Sequence, residues 1–443
     1  MLERIYNKLL WASKTMTPIL LFLFFFSTLL LFFLRWHSAT NEIDNISGDQ
    51  LYYLNEVIKL SEHGAYRVMS EGTSIVYSFI VLLLSKLTSL KLLVVGKLMN
   101  FFFLPATGIV FYFLSRVAFK ASIQFSVFVS ILYVLSFQHY CFKMLSDITN
   151  NFFLISGVLM FFLSQKNNKN KRGVFIIISA VLFSISIGVR PTSILFSLAF
   201  ITALFLLKKI NLKDKIQFLI VVSACFIFLQ LPSLVEKQKI SLEDKNKMWQ
   251  GKSKVDKPVS WPLINAYYVL YPERHKKDSK FMIDTKEVEL FYQKNPKKLP
   301  TSTIQILLKS PKKTILQLAT NWKQINVYFW SPLGLGLIWS NALATIVSFI
   351  LTPLILIYFL IKIKKDLSFK LTALSTLIYL ATLLYSSIAL IESNWVFVCV
   401  PFSLLWYYLC ANNKKHFNLA FTYLILVNTF SSLLTIRYVY ASL

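Results

Sequence analysis

Three acids and one arginine in this sequence lie at the ends of long apolar runs or in the polar segments between them. Asp49 follows Gly48 in the first polar segment, Asp147 opens an apolar run, Arg190 ends one, and Glu392 lies in a turn between two more. Ionisable groups are costly where a membrane helix meets water, so they mark candidate functional sites. Two carboxylates suit acid–base or electrostatic catalysis on sugars, and a guanidinium suits bidentate binding of a phosphate.

Each of these residues also has an ordinary structural interpretation. Asp49 and Asp147 could each cap the N-terminus of a helix. Arg190 could extend to lipid head groups, and Glu392 could be a solvated turn residue. Two acids predicted on the same side of the membrane shift the balance towards catalysis.

Further candidate binding residues lie beside these acids in the sequence, and no nucleotide-binding motif accompanies them. The sequence has no phosphate-binding loop, no dinucleotide-binding glycine turn and no His–Glu zinc helix. A nucleotide-sugar or ATP-driven mechanism therefore has no visible site, and an activated lipid is the simplest donor. The additional candidates are Tyr52, Tyr53, His139 and Lys143.

A metal site is not predicted, although a divalent cation is compatible with the residues present. Asp49, Asp147, His63 and His139 offer oxygen and nitrogen ligands, but their spacing is not diagnostic of any metal. The four cysteines are widely separated, mostly within apolar runs, and are interpreted as buried thiols.

The composition predicts a membrane protein. Of 443 residues, 56% are hydrophobic and only 15% are charged, against about 25% charged in a soluble chain. Apolar runs of roughly 18 residues or more recur, which is enough to cross a hydrocarbon core about 30 Å thick. Much of the positive charge, +27 net, lies in short clusters between these runs. Such clusters indicate topology determinants and anionic lipid partners rather than nucleic acid.

The predicted fold class is an all-α polytopic membrane protein with eleven spanning helices, because the alternating pattern of barrel strands is absent. The short basic loops at 166–172, 208–209, 362–365 and 414–415 predict the cytoplasmic side. The segment 74–90 is predicted to lie in the outer interface or to re-enter it. The predicted spans are 17–35, 95–116, 121–138, 148–164, 173–190, 193–208, 215–234, 340–361, 367–390, 396–411 and 417–439.

Three regions follow from this pattern. Residues 1–235 form an N-terminal membrane module with an acidic first outer loop at 36–73. Residues 236–330 form a long outer loop, in which apolar residues at helical spacing predict amphipathic helices interrupted at Pro311. Residues 331–443 form the C-terminal transmembrane helices.

Taken together, these segments resemble the GT-C superfamily of membrane glycosyltransferases. The closest likeness is to the bacterial relatives of protein O-mannosyltransferases and lipid A aminoarabinose transferases. Gly-Asp-Gln-Leu-Tyr-Tyr at 48–53 resembles their acidic first loop, Ser146-Asp147 their second acidic motif, and Gly-Val-Arg-Pro-Thr at 188–192 their basic turn. The segment 306–322 resembles their juxtamembrane helix. Many relatives carry Glu-Arg-Tyr before a late span, where this chain departs with Glu392-Ser393-Asn394-Trp395.

The resemblance implies a GT-C-like bundle of about 11 helices with outer-face juxtamembrane helices. It implies an inverting transferase in the inner (plasma) membrane that uses a polyprenyl-phosphate sugar at the outer face. Asp49 is the expected general base or electrostatic anchor, and Asp147 is expected to orient the acceptor or hold a cation. Arg190, with Lys143, is expected to bind the donor phosphate. The remaining expected substrate-binding residues are Tyr52, Tyr53, His139 and Glu392.

Two other functions fit parts of the sequence. An O-antigen or exopolysaccharide polymerase also acts on polyprenyl-linked glycans, but such enzymes usually rely on Arg-rich outer loops, and the long outer loop here has the single arginine Arg274. A transporter or flippase calls for charged or broken helices near the bilayer midplane. The ionisable residues here collect at the ends of apolar runs instead. The acceptor, whether glycan, lipid or protein, is left open.

Overall fold

The computed structural model describes six long stretches of the chain, together with the short segment 308–316 and separate residues between 123 and 134 and between 267 and 350. The secondary structure of these stretches is helical, and they contain no strand. The stretches are 49–70, 75–118, 143–166, 169–190, 193–206 and 210–238.

Seven helices occupy these stretches, and four of them are long and apolar enough to cross a membrane. The described part of the chain is therefore all-helical, with α3, α4, α5 and α7 as candidate membrane spans. The helices are α1 (Asp49–Ser70), α2 (Ile75–Thr88), α3 (Leu92–Ala118), α4 (Ser146–Ser164), α5 (Lys169–Val189), α6 (Ser193–Leu206) and α7 (Leu212–Lys237).

The candidate spans α3, α4, α5 and α7 coincide with four predicted ones, namely 95–116, 148–164, 173–190 and 215–234. Helix α6 begins where the span 193–208 is predicted, but its described 14 residues are fewer than the roughly 20 that a crossing needs. Helix α2 also has 14 residues, about 21 Å of helix, and is too short to cross the bilayer alone.

The other predicted spans fall wholly or largely outside the described residues. Of 121–138, only isolated residues are described, and those are helical. Of 340–361, only residues 349 and 350 are described. The predicted spans 17–35, 367–390, 396–411 and 417–439 lie entirely outside.

Helix α4 is the most buried of the four candidate spans. In the apolar segment of α4 that is long enough to span a membrane, 72% is buried, against 22% in the corresponding segment of α7. Helix α4 packs on α3 and on α5, and α5 packs on α7. The contact between α4 and α5 is close because Gly157 faces Phe183, and the Ser179 hydroxyl donates to the Gly157 carbonyl at 2.6 Å. Small residues at such contacts let membrane helices approach one another.

Helix α1 packs on α2 and α7 beside these spans. The sequence predicts one apolar face through positions 53, 57 and 60, and Val57 and Leu60 are indeed buried. At Gly64 the backbone adopts φ +77°, a left-handed conformation that interrupts the helix and that glycine adopts without strain. The kink lies within an exposed stretch, 61–67, and Val68 and Ser70 beyond it are buried again.

The described residues fall into two compact units, and residues 195–203 and those from 241 onward belong to the second. In that unit, the Lys313 amine donates to the Leu270 carbonyl. Helical residues within 308–316 are interrupted at Ser310, immediately before Pro311, where the sequence predicts a break.

We expect Gly157→Ala to destabilise the bundle. An added Cβ would lie 2.8 Å from Phe183 Cδ2 and 3.2 Å from the Ser179 carbonyl oxygen. Overpacking of this kind costs about 1–3 kcal/mol. The melting temperature of the purified protein in detergent should therefore fall.

Gly173→Ala is the matched control, because its Cβ would meet only the Gln217 side chain at 3.7 Å. Equal melting temperatures for the two variants would show that the close approach of α4 and α5 is not as described.

Candidate functional site

The opening of α4 is a polar segment buried in an apolar bundle. Residues 146–151 are all buried, and all but Ile148 are polar. Burying a polar side chain in a membrane bundle is unfavourable unless it finds a hydrogen-bonding or ionic partner. The neighbouring helices are therefore expected to supply partners for this segment, and the described contacts show which helices do so.

The strongest of these contacts is an ion pair between Arg190 and Asp147. Nη1 of Arg190 donates to Oδ1 of Asp147, and the two side chains are only 13% and 9% exposed. Asp147 lies in the first turn of α4, and Arg190 follows the last residue of α5. A helix dipole favours an anion at its start and a cation at its end. The two charges therefore suit the helix ends that carry them, and this side of the bundle is called the Arg190 end below.

The interpretation of Asp147 as an N-cap is wrong. The N-cap of α4 is Leu145, which makes no side-chain capping bond. Asp147 lies inside the first turn and pairs with Arg190 instead. The guanidinium of Arg190 binds this carboxylate. Its observed contact is therefore with Asp147 and is not the predicted extension to lipid head groups.

The start of α1 is tied to the start of α4 by two hydrogen bonds. The hydroxyls of Tyr53 and Ser146 lie 2.7 Å apart, and the Met144 amide donates to Oε1 of Gln50 at 3.0 Å. Since α1 begins at Asp49, next to Gln50, the backbone of Asp49 belongs to the Arg190 end. The side chain of Asp49 lies outside the described part of the structure.

Helix α3 contributes Asn100 to the same end. Its Nδ2 donates to the carbonyls of Lys143 and Leu145 at 2.7 and 2.6 Å, and its Oδ1 accepts from the Thr149 hydroxyl at 3.0 Å. One fully buried amide thus satisfies the backbone that leads into α4 and a side chain of its first turn. This contact fixes the height of α4 relative to α3.

Aromatic rings line α1 and α2 next to these bonds. Tyr52 and Tyr53 meet edge to face with centroids 5.2 Å apart, and Tyr53 and Tyr77 do so at 5.1 Å. Burial, together with the neighbouring Tyr53, raises the pKa of Tyr77 well above its ordinary value. Tyr77 therefore stays protonated at neutral pH and is not a candidate base.

Of the predicted site residues, the structure brings Asp147, Arg190 and Tyr53 to one end of the bundle, with Tyr52 buried beside Tyr53. Lys143 lies at the same end, with its side chain exposed and its carbonyl bound to Asn100. The predictions for the side chains of Asp49, His139 and Glu392 lie outside the described residues.

Two buried charges at the Arg190 end were given no role from the sequence. Glu56, 5% exposed, accepts a hydrogen bond from Lys59 at 3.0 Å, and its Oε2 has no partner among the described residues. Lys97, also 5% exposed, lies one turn before Asn100. A signal was present for both, since Lys97 interrupts an apolar run and Glu56 follows Tyr53 by three residues, on the same helix face.

A second ion pair marks the opposite end of the bundle. Arg172 pairs with Asp214 and also donates to Oε1 of Gln165 at 2.9 Å. Arg172 and Arg190 are eighteen residues apart in sequence, which is about 27 Å of helix, close to the thickness of a hydrocarbon core. The two ion pairs therefore lie at opposite ends of a helix about as long as a hydrocarbon core is thick.

The described side chains contain no group of three or more His, Cys, Asp or Glu that could hold a metal ion. Two of the four residues considered as cation ligands, Asp49 and His139, have side chains outside the description. His63 is exposed on α1, and Asp147 is engaged by Arg190.

Comparison of the chain with protein-family models, with curated proteins and with solved structures finds no match. The resemblance to GT-C glycosyltransferases therefore stays a prediction from short motifs.

The ion pair predicts strong coupling between two substitutions. Removing one partner of a buried pair leaves the other charge unpaired, at a cost of about 3–5 kcal/mol. We expect Asp147→Asn and Arg190→Gln each to destabilise the protein, and the double variant to lose about 1–3 kcal/mol less than the sum. Reversible unfolding with SDS in mixed micelles gives the three free energies.

Asp147→Asn combined with Arg172→Gln is the matched control, because those residues lie at opposite ends of the bundle and should be additive. If the changes in unfolding free energy of Asp147→Asn and Arg190→Gln add up in the double variant, the contact between the two side chains is contradicted.

Proposed function

We propose that this chain is a membrane glycosyltransferase that moves a sugar from a polyprenyl-phosphate donor to an acceptor hydroxyl, with inversion at the anomeric carbon. The reaction takes place at the Arg190 end, which faces the exterior or periplasm from the inner (plasma) membrane. The acceptor is a hydroxyl of a glycan, a lipid or a protein.

The observation that carries the proposal is the pairing of Asp147 with Arg190 at one end of a membrane bundle. A guanidinium presents two N–H groups in a fork that matches two phosphate oxygens. A lipid-linked donor places its phosphate where the bilayer meets water, which is the depth of Arg190. A carboxylate beside the guanidinium can accept a hydrogen bond from the acceptor hydroxyl. The two chemical requirements of the reaction are thus met by adjacent side chains from two helices.

The ion pair also implies an exchange of partners during the reaction. In the protein alone, Asp147 occupies the guanidinium of Arg190. The donor phosphate is a competing anion for the same N–H groups. When the phosphate takes that place, the Asp147 carboxylate is released and becomes free to accept a hydrogen bond from the acceptor hydroxyl. Donor binding thereby prepares the acceptor position, which favours binding of the donor first.

The bond changes balance without another reactant. Asp49, as general base, takes the proton of the acceptor hydroxyl, and the oxygen forms a bond to the anomeric carbon. The bond from that carbon to the phosphate oxygen breaks, and polyprenyl phosphate leaves with the electron pair. Arg190 stabilises the anion that departs. A base within reach of the hydroxyl typically contributes about 10² to 10⁴ in rate.

The orientation is supported by the loops at the end opposite Arg190. The basic segment 166–172 joins α4 to α5 there, and α7 begins there with Lys213 and Lys215 flanking Asp214. Short basic loops stay in the cytoplasm. The Arg190 end then faces outward, where a lipid-linked donor is the available source of activated sugar.

Asp49→Asn is expected to abolish sugar transfer while the protein still inserts and folds, because asparagine cannot take the proton. The measurement is a comparison of cellular lipid-linked glycans and envelope glycans between cells with the native chain and cells with the variant, at equal protein levels. Glu62→Gln is the matched control, since Glu62 is an exposed acid of the same helix.

The native glycan in Asp49→Asn cells would show that Asp49 has no catalytic role and would remove the proposed base. Accumulation of single lipid-linked repeat units, rather than loss of one sugar, would identify a polymerase and overturn the proposal.

A further inference from the structure

One side chain of α4 holds both sides of the turn that carries Arg190. Oδ1 of Asn150 accepts hydrogen bonds from the hydroxyls of Ser186 and Ser193, each at 2.7 Å. Ser186 lies four residues before Arg190, in the last turn of α5, and Ser193 lies three residues after it, at the start of α6. Asn150 and both serines are fully buried.

The backbone transmits this anchoring to Arg190 itself. The Arg190 amide donates to the Ser186 carbonyl at 2.9 Å, and the Ser193 amide donates to the Arg190 carbonyl at 2.9 Å. The two residues that Asn150 holds by their side chains are therefore the two that hold the main chain of Arg190. Since Asn150 follows Asp147 by one helical turn, the helix that carries the carboxylate also fixes the backbone of its partner.

We propose that Asn150 is a positioning residue, which keeps the guanidinium of Arg190 in register with Asp147 and with the site of the donor phosphate. This inference deepens the proposed function and rests on it only in giving Arg190 a phosphate to bind. The anchoring of the Arg190 turn is a separate statement that can be tested without sugar transfer.

An amide is well suited to this place. Its oxygen accepts two hydrogen bonds without a formal charge. Aspartate would offer the same oxygens but would add a second carboxylate one turn from Asp147, in competition for the same guanidinium. Alanine would leave two buried hydroxyls without their acceptor. Asparagine thus holds the turn beside the ion pair without adding a charge, while its Nδ2 is buried with no hydrogen-bond partner among the described residues.

The adjacent residue provides a matched control. Asn151 is 1% exposed, and its Nδ2 contacts the Tyr133 hydroxyl at 3.4 Å, away from the Arg190 turn. Asn150→Ala and Asn151→Ala therefore remove the same buried amide from neighbouring positions, and only the first removes an anchor of Arg190. A general loosening of the bundle would affect both variants alike.

The test is modification of arginine by phenylglyoxal in the full chain in detergent, with each site quantified by peptide mass spectrometry. Arg172, paired with Asp214 at the other end of α5, is the internal reference. We expect Asn150→Ala to raise the modification rate of Arg190 about fivefold with Arg172 unchanged, since both anchoring hydrogen bonds are lost and the turn opens more often. Affinity for undecaprenyl phosphate should fall by a similar factor. Asn151→Ala should change neither.

An unchanged Arg190 rate in Asn150→Ala, or an equal rise in Asn151→Ala, would overturn the positioning role. If Asn150→Ala does not fold, Ser193→Ala removes one of the two bonds and should give a smaller rise at the same arginine. Arg190 could be modified faster in Asn150→Ala while Arg190→Gln leaves the affinity for undecaprenyl phosphate unchanged. That result would support the positioning role and refute the proposed function.

Discussion

The arrangement of the described helices depends on one constraint, which is that α4 begins with a run of polar residues buried at one end of a membrane bundle. Each of those side chains needs a partner, because neither lipid nor an apolar helix face can supply one. Helix α1 provides Tyr53, α3 provides Asn100, and α5 provides Ser186 and, at its end, Arg190. The polar start of α4 therefore determines which helices surround it and how deep each one lies.

This constraint connects stability to the proposed chemistry. A buried carboxylate and a buried guanidinium that pair only with each other make no clear gain over an apolar core. In the proposed reaction, Arg190 binds the lipid phosphate and Asp147 the acceptor hydroxyl, and each residue lies at the helix end whose dipole favours its charge. Under this proposal, the ion pair gives each charge a partner until the donor phosphate binds Arg190.

The sequence predicted the spans α3, α4, α5 and α7 well because long apolar runs are a strong signal and the membrane admits only helices. It also selected Asp147 and Arg190 as candidate residues on the same side of the bundle, because a charge at the edge of an apolar run is rare. It did not predict that they bind each other, since the pairing depends on the antiparallel contact of α4 and α5. Asn100 and Asn150 were not assigned roles, because a polar residue within a span carries no mark of its partner in a distant segment. Lys97, by contrast, could have been selected from the sequence, because it interrupts an apolar run.

Affinity for undecaprenyl phosphate in the Asp147→Asn variant tests the central claim most directly. The claim is that Arg190 binds the donor phosphate and that Asp147 competes with the phosphate for the guanidinium. Asparagine removes the competing anion and leaves the guanidinium in place. Binding to purified protein in detergent should become about tenfold or more tighter than in the native chain, as expected for release of a charged hydrogen bond. Arg190→Gln should weaken it by a similar factor, and Asp214→Asn, at the other end, should leave it unchanged. Weaker or unchanged binding in Asp147→Asn would contradict the account.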